Sequence, residues 1–125
     1  MPVEPGLSGH VELVVTDDDT AIAARSGDVA VLSTPRIVAL CEEATVVAVD
    51  GWLPKGETTV GMRIQLDHLA PTAVGDLVTV DARLEKVEGR RLRFSVAVND
   101  DRGLVAAGKV TRVVVDREHF LDKTR

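Results

Sequence analysis

Residues 33–50, "STPRIVALCEEATVVAVD", decide how the rest of the chain must be arranged. Laid out at about 100° per residue from Thr34, they form one helix. Ile37, Leu40, Cys41, Ala44, Val47 and Ala48 fill one side, and Val38, Thr45, Val46 and Val49 run round most of the other. Only Arg36, Glu43 and Asp50, spaced by seven, make a polar stripe. A helix so apolar must be covered on nearly every side. Glu42 lies off the polar stripe, at about 80° on the wheel, flanked by Val38, Val46 and Val49. An ionised carboxylate among valines is costly unless it is paired, which makes Glu42 a candidate for chemistry. The plain alternative is a solvated acid whose stem lies along the apolar surface. Glu43, on the charged stripe, is the internal control.

The flanking sequence supplies the cover. Residues 10–16, "HVELVVT", read as a short strand, and 20–32, "TAIAARSGDVAVL", as an apolar connection broken at Ser26-Gly27-Asp28. After the helix, 51–59 form a loop punctuated by Gly51, Pro54 and Gly56. Four alternating segments follow at 60–70, 77–87, 91–99 and 104–115. In the first, Val60, Met62, Ile64, Leu66, His68 and Ala70 share one phase. Turns at Gly75-Asp76, Glu88-Gly89-Arg90 and Asp101-Arg102-Gly103 predict hairpins, hence an antiparallel meander. The expected architecture is α+β, a hot-dog fold in which a curved antiparallel five-stranded sheet wraps around one long central helix. It is expected as a single domain over 1–125, with residues 1–9 a flexible N-terminus.

Composition excludes several functions. The net charge is −5, and the only aromatic rings are Trp52, Phe94 and Phe120. A nucleic-acid binder normally shows a basic face and stacking rings, so none is expected as a partner. No apolar run reaches membrane length, and the N-terminus lacks a basic start and an apolar core, so neither anchor nor signal peptide is expected. Cys41 has no partner for a disulfide, which fits a reducing cytoplasm, and it sits on the apolar side of the helix as core filler. His10, His68 and His119 are scattered without metal-ligand spacing. Asp17-Asp18-Asp19 lacks the glycine and terminal glutamate of a calcium loop and reads as a solvated turn. No metal and no cofactor are expected.

Two more residues break their patterns. His68 extends the apolar phase of its segment and should point toward the helix, where it can meet Glu42. The plain alternative is a half-wet strand-end histidine satisfied by a carbonyl. Thr34 directly precedes Pro35, which is favoured at the first helical position, so Thr34 is a natural N-cap. Eight helical residues rise roughly 12 Å, so Thr34 and Glu42 cannot hydrogen-bond within one regular helix. Either Thr34 sits in a folded-back turn or the site is completed across a dimer interface.

"STPRIVALCE", "VGMRIQLDH" and "PTAVGDLVTVDARLEKVEGRRL" together resemble the hot-dog acyl-CoA thioesterases of the fluoroacetyl-CoA thioesterase-like group, over about residues 26–115. The specific part is Thr34, Glu42 and His68 with their separations of eight and twenty-six. In that family these positions are the catalytic Thr, Glu and His. The resemblance implies hydrolysis of an acyl-CoA thioester to an acid and free CoA by a homodimer. The CoA thioester would be the substrate, with Glu42 as nucleophile or base, His68 as proton shuttle and Thr34 as attacking or orienting hydroxyl. Backbone N–H groups near Gly61 would serve the oxyanion; Gly61 read plainly is a strand bulge. Fluoroacetyl-specific members are rich in aromatics before the Thr, whereas residues 20–32 here carry no ring, so another acyl chain is expected. The rival readings are a hydratase acting on an enoyl-CoA and a non-catalytic acyl-CoA-binding domain.

Overall fold

The structure, a computed structural model, describes residues 3–125. Five strands form one antiparallel sheet: β1 (Ser8–Val14), β2 (Glu57–His68), β3 (Leu77–Glu88), β4 (Arg91–Asp100) and β5 (Gly103–Asp116). Their spatial order is β1-β3-β4-β5-β2. Among the described residues three α-helices accompany them, α1 (Ala21–Ala24), the long α2 (Thr34–Val49) and the terminal α3 (Arg117–Asp122), with a 3-10 turn at Asp17–Asp19. This is the hot-dog architecture, with α2 laid along the inner face of the sheet. Ile37, Leu40, Cys41, Ala44, Thr45, Ala48 and Val49 of α2 are buried with Val78, Val80, Ala82 and Leu84 of β3 and Phe94, Val96 and Val98 of β4. At the crossing of β1 the backbones nearly touch: a Cβ at Gly9 would run into the Ala44 carbonyl, so only glycine lets the helix settle there. Among the described residues no helix is long and apolar enough to cross a membrane.

Four expectations about the fold are corrected. The turn at Gly75-Asp76 closes no hairpin, because β2 pairs with β5 and β3 with β1. Residues 69–76 carry the chain from the β2 edge across the sheet to β3, the neighbour of the opposite edge strand β1, held by Leu69 and Ala70 N–H on the Val105 carbonyl and by Gly75 N–H on the Val15 carbonyl. The segment before β1, expected to be loose, is tied down: Gly6 N–H donates to the Leu84 carbonyl at 2.8 Å, Leu84 N–H to the Leu7 carbonyl at 2.8 Å, and Val3 and Leu7 pack against the core. Residues 1 and 2 lie outside the described part of that segment.

The third correction concerns the phase of β2. Gly61 opposes Arg112 and Arg63 opposes Thr111, so Met62 is an extra residue in a β-bulge. Before the bulge Thr59 and Gly61 face the helix; after it Ile64, Leu66 and His68 do. Val60 and Met62 therefore leave the inward series, and Met62 is 49% exposed. Nor is α2 covered on nearly every side. Val46 and Val47 are 47% and 44% exposed, and Pro35 and Ala39 are exposed beside them.

Candidate active site

The first cluster forms at the start of α2. Ser33, one residue earlier than expected, is the N-cap, its hydroxyl accepting from Arg36 N–H at 3.1 Å. Thr34 is consequently in the first turn, and its side chain is released from capping. Its Oγ1 lies 2.8 Å from His68 Nδ1, a hydrogen bond whose direction follows the imidazole tautomer. His68 Nε2 is buried and has no partner among the described residues. His68 does face the helix, but it meets Thr34 there, not Glu42.

The aspartate run, expected to be solvated, supports this turn. Asp17 and Asp18 are exposed, but Asp19 is buried. Its carboxylate accepts from Thr16 N–H and hydroxyl at 2.8 and 3.0 Å and from Arg36 Nε at 2.9 Å. Burial by itself would raise the Asp19 pKa; the donors from Thr16 and Arg36 outweigh it and hold the carboxyl below the usual range. Arg36 thus belongs to a partly buried ion pair and not to a free polar stripe.

The second cluster surrounds Glu42, two turns along α2. Glu42 is half-buried, and its expected apolar setting is corrected by a cation: Arg112 on β5 donates to Glu42 Oε2 at 3.0 Å. The guanidinium is clamped by β2, donating from Nε to Thr59 Oγ1 at 2.9 Å and from a terminal nitrogen to the Thr59 carbonyl at 3.0 Å. Burial lowers the Arg112 pKa and the Glu42 charge opposes that shift; the group stays a cation. A Cβ at Gly61 would stand 2.5 Å from Glu42 Oε2, so glycine makes room for this carboxylate. Gly61 is both the expected bulge and a wall of the site. Beside it, burial and the Glu42 charge push the Cys41 thiol up to about 11, leaving it a neutral core residue.

Arg112 and Thr59 escape a reading of the sequence, yet Arg112 had a signal. It shares the inward phase of β5 with Val110 and Val114, a cation where a valine is expected. The arrangement offers a hydroxyl on an imidazole, suited to nucleophilic attack with proton transfer, and separately a carboxylate fixed by a buried arginine.

All of these residues lie within 15–118, the stretch matched by the family model of the fluoroacetyl-CoA-specific thioesterases. The chain belongs to that family. The fluoroacetyl-CoA thioesterase of Streptantibioticus cattleyicolor is 39% identical over 95 residues, 76% of this chain and 68% of that protein. Among solved structures, the fluoroacetyl-CoA thioesterase FlK superposes with a TM-score of 0.93 at 31% identity, covering 100% of this chain and 97% of its own. A thioesterase superfamily member from Thermus thermophilus gives 0.91 at 28% identity, covering 99% and 92%. The family match therefore includes both clusters, and the superposition on FlK extends over the whole chain.

Proposed function

We propose that this chain hydrolyses an acyl-CoA thioester to a carboxylic acid and free CoA, using Thr34, His68 and Glu42 at a site completed between two copies. The observation that carries the reading is the 2.8 Å bond between Thr34 Oγ1 and His68 Nδ1, in a chain of a thioesterase family. Thr34 Oγ1 bonds to the thioester carbonyl carbon while His68 takes its proton. The C–S bond breaks, and His68 returns the proton to the departing thiolate. Water then attacks the acyl-threonine, giving a proton to His68, which restores the Thr34 hydroxyl as the acid leaves. Glu42, fixed by Arg112, orients that water, and backbone N–H groups at the Gly61 bulge receive the oxyanion.

Three features support a homodimer. Thr34 and Glu42 are separated by roughly 12 Å of helix rise. The apolar residues Pro35, Ala39, Val46 and Val47 are uncovered in one chain, and β2 ends the sheet with one side unpaired. In the dimer, Thr34 and His68 of one protomer work with Glu42 of the partner subunit. The absence of any ring in residues 20–32 supports an acyl group other than fluoroacetyl.

Thiol release from a panel of acyl-CoAs tests the chemistry. Hydration of an enoyl-CoA without thiol release, or binding without turnover, would replace this reading by one of its rivals. Mixing Thr34→Ala and Glu42→Gln chains tests the shared site: random pairing should restore about a quarter of normal activity, because half the dimers then hold one intact site. No recovery, or full activity in a species that sediments as a monomer at micromolar concentration, would exclude it.

A further inference from the structure

The outer face of the sheet carries a second constructed feature. A cleft of about 300 Å³ opens over β2, β5, β4 and β3, lined by Arg63, Lys109, Arg91, Arg93, Lys86 and one carboxylate, Glu85. Five of the fifteen Lys and Arg residues of a chain with net charge −5 thus line one concavity. Two β-bulges put two of them there, Lys86 and Arg63. In β3 the buried series Val78, Val80, Ala82, Leu84 would continue inward at residue 86. Glu85 is an extra residue in that strand, so Lys86 turns outward and pairs with Arg93. In β2 the inward pair Thr59 and Gly61 would continue at 63, and the extra Met62 likewise turns Arg63 outward, opposite Thr111. Together they complete one row across four strands: Lys86, Arg93, Thr111, Arg63. The neighbouring row adds Lys109 and Gln65.

Like charges placed opposite one another across strands are destabilising, and bulges are specific devices that re-aim side chains. Internal neutralisation is incomplete. Lys86 and Arg93 share Glu88 at 3.7 and 2.7 Å, and Glu85 is engaged by Ser95 at 2.8 Å and by Arg83 at 3.7 Å. Arg63, Arg91 and Lys109 make no ion pair among the described residues. Three arginine forks and two ammonium groups around a small concavity match adjacent phosphates, and the volume lies at the small end of ligand sites.

We propose that this cleft binds a ligand bearing clustered phosphates, of the nucleoside diphosphate class. The chemistry is shared by a free nucleotide and by the nucleotide end of a CoA substrate, and the proposal does not depend on the thioesterase reading. Calorimetric titration of the intact protein with ADP, pyrophosphate and CoA is the test. Saturable binding is expected, weakened at higher salt, and weakened about tenfold by Arg63→Gln or Arg91→Gln. Both residues are exposed, and unchanged thermal unfolding of the variants would separate lost binding from lost fold. If the phosphates belong to the substrate, the same variants raise KM for acyl-CoA and leave turnover of an acyl-pantetheine unchanged. If a free nucleotide is the ligand, ADP binding falls while KM for acyl-CoA stays constant. No binding of ADP, pyrophosphate or CoA at millimolar concentration, or equal binding by wild type and variants, would overturn the proposal.

Discussion

The two clusters on α2 use hydrogen bonds of nearly equal length for opposite ends. At the first turn, Thr34 and His68 form a 2.8 Å pair whose direction follows the imidazole tautomer and which leaves Nε2 without a partner among the described residues. Two turns later, Arg112 is held on three sides, by Glu42, the Thr59 hydroxyl and the Thr59 carbonyl. The first pair leaves one ring nitrogen unengaged, whereas in the second all three guanidinium nitrogens of Arg112 are engaged. In the proposed reaction proton movement falls to the helix start and fixed charge to its middle, and the residues around each explain why. A cap and a buried aspartate hold the former's backbone in place, while the latter's charges hold one another.

That contrast is broken most directly by two substitutions. His68→Ala should lower thiol release by about 10² to 10⁴ with little change in melting temperature, since the lost ring already has one unsatisfied nitrogen. A large fall in melting temperature, with activity tracking only the folded fraction, would make His68 structural. Glu42→Gln should lower turnover about 10²-fold or more, against less than about twofold for Glu43→Gln, which alters an exposed residue. Equal losses would remove the distinction between the two acids. Arg112→Met should differ from both by costing stability, about 1–3 kcal/mol by urea unfolding, because Glu42 is left unpaired. The figure is kept low because the Glu42 side chain remains 36% exposed. Adding Glu42→Gln to Arg112→Met should recover part of that stability and none of the activity; additive losses would mean that the two groups are not coupled.

A finer probe of the second cluster is Gly61→Ala. The added methyl meets the flexible end of Glu42 and not backbone, so it should displace the carboxylate. Activity is expected to fall about tenfold with unfolding nearly unchanged. Full activity would show that the position of Glu42 is not critical.

The two clusters were unequally legible in the sequence. The period of 3.6 in residues 34–49 and the period of 2 in the strands define the helix, the five strands and the hot-dog fold, because each pattern reports burial directly. Pairing partners are less visible. Alternation does not say that β2 joins β5 across the sheet, and a single extra residue such as Met62 leaves no mark in composition while reversing every side chain around it. Thr34, Glu42, His68 and Gly61 could be singled out, but their grouping could not. Ser33 caps in place of Thr34 by a one-residue shift that frees the hydroxyl, and Arg112 is hidden in a valine-rich strand whose phase alone betrays it. Six residues, Arg117–Asp122, are too few for α3 to show a period.

The smallest expected effect reaches the first cluster from behind. Asp19 touches neither Thr34 nor His68, but its carboxylate holds Arg36 and its carbonyl accepts Ser33 N–H at 2.9 Å, so it fixes the turn that presents Thr34. Asp19→Asn keeps the shape and removes the charge. Turnover should fall only a few-fold, roughly what a modest misplacement costs, and the loss should respond to pH in stability more than in rate. The folded-state pKa of Asp19 lies below its unfolded value, so its contribution is fully present above the ordinary carboxylate pKa. It is lost as pH falls through the lower, folded value. Wild type should therefore exceed Asp19→Asn in urea stability at neutral pH, and the two curves should converge in acid below the ordinary carboxylate range. Parallel curves across that range would show that Asp19 acts through shape alone. A turnover loss as large as that of His68→Ala would place Asp19 in the proton path and end the separation between the Thr34–His68 pair and its support.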